Sequence, residues 1–209
     1  MRNKCKEQTK YVSNSVCALA ILEIILMLSS WIISTAFPAT RLRSLINSEG
    51  IRWFLGCFTD NLGNDFSIWL LLSAMAYGCI SKSKILALFK DVRVYKSMEF
   101  RKRLAVVLVV VEIFVVLVVM SLLTFSRQAI LLSVTGELFP SSFSRSLIPV
   151  VDFTLVVTAI TYGLVTDNIR SLDDIVDCLV CGCQKASPLF VIYVFACQFI
   201  YSVGYVFSL

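Results

Sequence analysis

The chain has 209 residues, 58% of them apolar and 16% charged, and its mean hydropathy is +0.84. A water-soluble domain of this size cannot bury so much apolar surface, so the composition points to a lipid solvent. The net charge of +5 comes from 19 basic and 14 acidic residues; the basic ones cluster beside apolar runs, where lipid headgroups and membrane orientation account for them, and no nucleic-acid-binding motif accompanies them.

Taken in chain order, five stretches are expected to cross a bilayer, all within a single transmembrane domain over 1–209. The first, 13–37, is closed by Pro38. It is long enough to span, and no A-x-A cleavage site follows, so it reads as a retained anchor rather than a secretory signal. The second, 66–81, is short and must extend back through 62–65 or sit where the bilayer thins. The third, 104–125, is a dense Val/Leu run. The fourth is 146–166 and the fifth 188–209, opened by Pro188. The fold class is therefore an all-α, polytopic helical membrane protein with about five transmembrane helices.

Two amphipathic stretches flank these spans. In "KILALFKDVRVYKSMEF", Ile85, Leu88, Phe89, Val92 and Tyr95 fall on one helical face, which predicts a helix over about 83–98 on the cytoplasmic surface, with a solvated connector as the alternative. "RLRSLINSEGIRWFLGCF" is expected outside, interrupted by Gly50. Between spans four and five, "TYGLVTDNIRSLDDIVDCL" carries Ser171 with Asp174 three residues on, the S-x-x-D pattern of a capped helix start. A short polar helix is expected there, ending before Pro188.

Orientation follows from the basic residues. Four precede span one, three separate spans one and two, eight lie from Lys82 to Arg103, two separate spans three and four, and two separate spans four and five. A cytoplasmic N-terminus puts fourteen inside and five outside. It also places Trp31, Trp53 and Trp69 near the outer interface, as an aromatic belt requires. Of the eight cysteines, only Cys57 falls clearly outside, so they do not form a disulfide framework.

Three acids interrupt the apolar runs: Glu23, Glu112 and Asp152. An ionised carboxylate at mid-span costs about 2.5–3.5 kcal/mol on insertion scales, so such groups face the protein interior. Two readings stay open: a proton or cation site, or a neutral hydrogen-bonded acid that fixes helix packing. Thr154, Thr158 and Thr161 form a polar stripe on span four, and Gln198, Tyr201, Tyr205 and Ser208 form one on span five; helix packing or the lining of a substrate path would each use them. In "CLVCGC", Cys178, Cys181 and Cys183 lack a second pair or a histidine to complete a zinc site, and read as small residues near a membrane surface. There is no nucleophile–base pair, phosphate loop or polar carboxylate pair, so neither catalytic residues nor a metal or other cofactor is expected.

Several segments resemble the bacterial p-aminobenzoyl-glutamate transporter (AbgT) family. "RSLINSEGIRW" at 43–53 resembles its outer segment, with Ser-Leu, Glu-Gly and Arg-Trp. "SSFSRSLIPVVDFTLVVTAITYGLVTDNIRSLDDIVD" at 141–177 resembles a later span that ends in a Tyr-Gly turn and enters an Ile-x-Ser-x-x-Asp-Val helix. "VIYVFACQFIYSVGYVFSL" at 191–209 resembles the next span, with Gln198 the best matched polar position. The family's Gly-rich second span stands here as "SAMAYGCISKSKIL", without most of its glycines or its acid. A block holding a re-entrant hairpin is skipped after span two, and "YVFSL" stops before further spans. The resemblance implies a partial AbgT-like fold in a bacterial inner membrane. It also implies secondary transport of p-aminobenzoyl-glutamate-like or related anionic compounds, driven by a proton or sodium gradient. Substrate or ion candidates are Glu23, Glu112, Asp152 and Gln198. The rival reading is a non-transporting membrane protein, a truncated fragment or a small subunit. Partners are then the bilayer and a second copy or another membrane protein, met through the Thr154/Thr158/Thr161 and Gln198/Tyr201/Tyr205 faces. One copy of the resembling segments offers few walls for alternating access, so the chain alone is expected not to transport.

Overall fold

The computed structural model describes residues 2–37, 42–86, 100–125 and 142–208. Among them the chain is helical: α1 (Arg2–Ala36), α2 (Ser48–Gly56), α3 (Phe58–Leu62), α4 (Asp65–Ser83), α5 (Phe100–Phe125), α6 (Ser142–Val165) and α7 (Leu172–Phe207). Four helices are long and apolar enough to cross a bilayer, over Tyr11–Ala36, Phe100–Thr124, Arg145–Val165 and Leu172–Phe207. The chain is thus an all-α membrane protein. α4 covers the short run expected at 66–81 and is not among these four. Most of the amphipathic helix expected at 83–98 lies outside the described residues.

α5 shows how solvent selects its structure. Its "VVLVVVEIFVVLVV" is rich in β-branched residues, which in water favour strands. In lipid a lone strand would leave its backbone groups unpaired, so the run closes its hydrogen bonds internally as a helix. None of α5's spanning window is buried in protein, and only 6% of α1's is. Their apolar surfaces have the lipid as solvent.

α7 corrects one expectation. The polar helix beginning at Leu172 does not end before Pro188; it runs unbroken through it for 36 residues. Keeping the helix sacrifices the one bond that a proline N–H would have made to the Gln184 carbonyl. Ending it would leave up to four carbonyls without partners. α7 is thus about 54 Å long against a hydrocarbon core of about 30 Å, so its polar first turns extend beyond the core. α6 carries Pro149 in the same way.

The helices group into two compact units: Met1–Ser67 with Ala186–Leu209, and Ile68–Lys185. In the first, the segment after α1 is tied down at several points. The Leu45 amide donates to the Ser30 hydroxyl at 3.3 Å, and the Arg43 amide donates to the Val206 carbonyl at 3.1 Å. Leu45 is buried, and Gly50 packs on it so closely that a Cβ would lie 2.3 Å from the Ser44 carbonyl oxygen. Trp53 stacks on Tyr205 at 4.4 Å, with the Arg43 guanidinium over the Tyr205 ring.

In the second unit α4 and α7 touch backbone to backbone. A Cβ on Gly78 would lie 2.2 Å from the Cys178 carbonyl oxygen, and one on Gly182 would lie 2.0 Å from that of Ala74. Ala74 and Gly78 on α4, and Cys178 and Gly182 on α7, are each four residues apart, the small-xxx-small spacing that lets membrane helices approach. Cys79, Ala159, Ile169 and Cys178 form the buried core beside this crossing. The α6–α7 connector closes over it: Asp167 takes a left-handed conformation (φ 57°), and the Asn168 and Ile169 amides both return to the Gly163 carbonyl. The Asn168 amide group donates to the Ser83 carbonyl at 3.2 Å, and Arg101 pairs with Asp167. The helix start is the reciprocal box read from the sequence: the Asp174 amide donates to the Ser171 hydroxyl at 3.2 Å, and the Ser171 amide donates to the Asp174 carboxylate at 3.1 Å.

Candidate functional site

In lipid, a polar side chain at membrane depth must be met by protein. Each sequence-derived candidate is met by one group from another helix. In the first unit, Glu23 near the middle of α1 accepts a hydrogen bond from the fully buried Ser202 of α7, at 2.6 Å on Oε1. Gln198, one turn earlier on α7, accepts through Oε1 from Nδ2 of Asn61 in α3, at 3.4 Å. Residues four apart share a helix face, so α7 brings Gln198 and the Glu23–Ser202 pair onto one stripe.

In the second unit, Glu112 near the middle of α5 accepts from the Thr161 hydroxyl of α6 at 2.6 Å. Asp152, itself buried, accepts from Ser73 of α4 at 2.8 Å. Asp152 and Thr161 are nine residues apart on α6, about half a turn in phase. The helix therefore turns Asp152 toward α4 and Thr161 toward α5. Glu112 and Asp152 share a supporting helix but do not meet.

These bonds satisfy only part of each group. Oε2 of Glu23, Oε2 of Glu112 and Nε2 of Gln198 are buried without a hydrogen-bond partner among the described residues. A carboxyl with one oxygen fixed by a hydroxyl and the other bare is poised chemically. Protonated on the bare oxygen it is neutral and suited to low dielectric; deprotonated, it concentrates charge where a small cation would sit.

The two polar stripes divide. Thr154 and Thr158 donate back to their own helix, to the carbonyls of Val150 and Thr154 at 2.7 and 2.8 Å, while Thr161 reaches another helix. On α7, Gln198 and Tyr205 face protein, while Tyr201 is partly exposed. The sequence reading missed the partners Ser202, Ser73 and Asn61. Their one visible signal was a small polar residue in or beside an apolar run, which does not say which helix it faces.

The sequence profile of the AbgT putative transporter family matches residues 89–205. The chain belongs to the AbgT family. The match takes in Glu112, Asp152, Thr161, Gln198 and Ser202, while Glu23, Asn61 and Ser73 precede it. Comparison with curated proteins and with solved structures gave no match. The AbgT family is one of transporters, so the membrane-depth carboxyls sit in a chain of transporter ancestry.

Proposed function

We propose that this chain works, together with further copies of itself or another membrane protein, in cation-coupled secondary transport of small anionic compounds of the p-aminobenzoyl-glutamate kind, as a multi-pass protein of the bacterial inner membrane with its N-terminus in the cytoplasm. Coupling is by protons or sodium, and Glu112 is the residue that carries it. The observation behind this is the half-satisfied carboxyl: Thr161 holds Oε1 of Glu112 at 2.6 Å, and Oε2 is buried without a hydrogen-bond partner among the described residues. An acid needed only for packing would gain from a partner on both oxygens; a site that loads and unloads a cation needs one left open. Glu23 with Ser202 repeats the arrangement in the first unit. Family membership supports transport, and the fourteen-to-five bias of basic residues supports the orientation.

The test is uptake of labelled p-aminobenzoyl-glutamate into membrane vesicles from cells producing the chain, under an imposed proton or sodium gradient. Saturable, gradient-dependent uptake is expected, falling at least tenfold in Glu112→Gln. Uptake equal to that of vesicles lacking the chain would refute the reading and leave a non-transporting membrane subunit as the account.

A further inference from the structure

The bare amide nitrogen of Gln198 is not explained by cation coupling, because a donor cannot hold a cation. Gln198 and Asn61 are both only 6% exposed, and Asn61 occupies the Gln198 oxygen while the nitrogen stays without a partner among the described residues. A polar atom buried in this way is costly unless something accepts from it. The surroundings are tied together: the Tyr193 hydroxyl lies 2.8 Å from the Leu62 carbonyl oxygen and 2.7 Å from the Asn64 side-chain oxygen, with one proton to donate to either, and Tyr193 stacks on Phe66 at 5.8 Å. These contacts fix the 61–64 stretch against α7.

We infer that the Asn61–Gln198 pair is a binding point for the neutral amide carbonyl of a small ligand, with Gln198 Nε2 as the donor. The chemistry selects a neutral acceptor. Every hydrogen-bonding group of the pair and of its Tyr193–Asn64 support is uncharged. One turn along this face of α7, Ser202 holds the Glu23 carboxyl. That carboxyl would repel a ligand carboxylate, whereas an amide oxygen brings no charge to bury. This deepens the transport reading by naming a ligand group, yet it concerns equilibrium binding and needs no gradient.

The experiment measures binding of labelled N-methylbenzamide to the purified full chain in detergent, with benzoate and isopropylbenzene as competitors. Saturable binding is expected, displaced by neither competitor at equal concentration. Gln198→Met, which keeps the length and removes the donor, should weaken binding roughly three- to tenfold, the worth of one neutral hydrogen bond. Binding is read at equilibrium with no gradient, whereas the coupling account is read by gradient-driven uptake, so a failure here is distinguishable from a failure of that account. Displacement by benzoate would overturn the neutral-amide assignment. Displacement by isopropylbenzene, absence of saturable binding, or unchanged binding in Gln198→Met would overturn the site. Should Gln198→Met fail to fold, the competition on wild type alone still decides.

Discussion

Gly182→Ala gives the sharpest test of the packing. The added Cβ would lie 2.0 Å from the Ala74 carbonyl oxygen and 2.9 Å from the Gly78 nitrogen. Both are backbone atoms of α4, so no rotamer change relieves the clash. Ordinary contact begins at about 3.4 Å, so the helices must part by about 1.4 Å at this point. Overpacking of this kind costs about 1–3 kcal/mol, and a rigid backbone clash belongs at the upper end. Alanine's better helix propensity returns about 1 kcal/mol. The net is about 2 kcal/mol, or roughly a thirtyfold fall in the folded-to-unfolded ratio. Denaturant titration of the purified protein in mild detergent, followed by helical circular dichroism, reads this directly. Gly204→Ala is the internal control, since a Cβ there meets nothing within 4 Å and should be neutral or slightly stabilising. If Gly182→Ala is as stable as Gly204→Ala, α4 and α7 do not cross at Ala74/Gly78 and Cys178/Gly182.

Further outcomes follow from the same geometry. Glu23→Gln keeps the oxygen that accepts from Ser202 and should leave folding nearly intact, whereas Glu23→Lys should impair accumulation in the membrane by immunoblot. Thr161→Val should cost about 0.6 kcal/mol, and at most about 1.7, in the same denaturant titration, the range for a hydrogen bond between membrane helices. Ser171→Ala removes the capping hydroxyl and should cost about 1 kcal/mol. For topology, an impermeant thiol reagent on spheroplasts should label Cys57 and should reach the partly exposed Cys183 only after permeabilisation; Cys178 is buried and would stay silent from either side.

What the sequence made legible was whatever depends on local chemistry. Lipid as solvent turned hydropathy into helices, and Ser171 with Asp174 announced a box whose two bonds both form. Pro188 misled because a proline stops helices in water, where freed carbonyls find solvent; in an apolar solvent, continuing costs less than stopping. The α4–α7 crossing was partly legible. The four-residue spacings in "AMAYG" and "CLVCG" are both visible, but spacing does not say which two helices meet. The same limit hid the partners of Glu23, Asp152 and Gln198. A hydroxyl 79 residues away, as Ser73 is from Asp152, leaves no mark near the acid it serves.

If Glu112 exchanges a cation as substrate moves, substrate alone should drive that cation across the membrane. The most direct measurement is substrate-driven cation entry: p-aminobenzoyl-glutamate is added outside vesicles carrying the chain, with no gradient imposed, while trapped dyes report internal pH and sodium. One of the two dyes should respond saturably to substrate, and that response should vanish in Glu112→Gln. Substrate entry with neither dye responding, or an undiminished response in Glu112→Gln, would contradict coupling through Glu112.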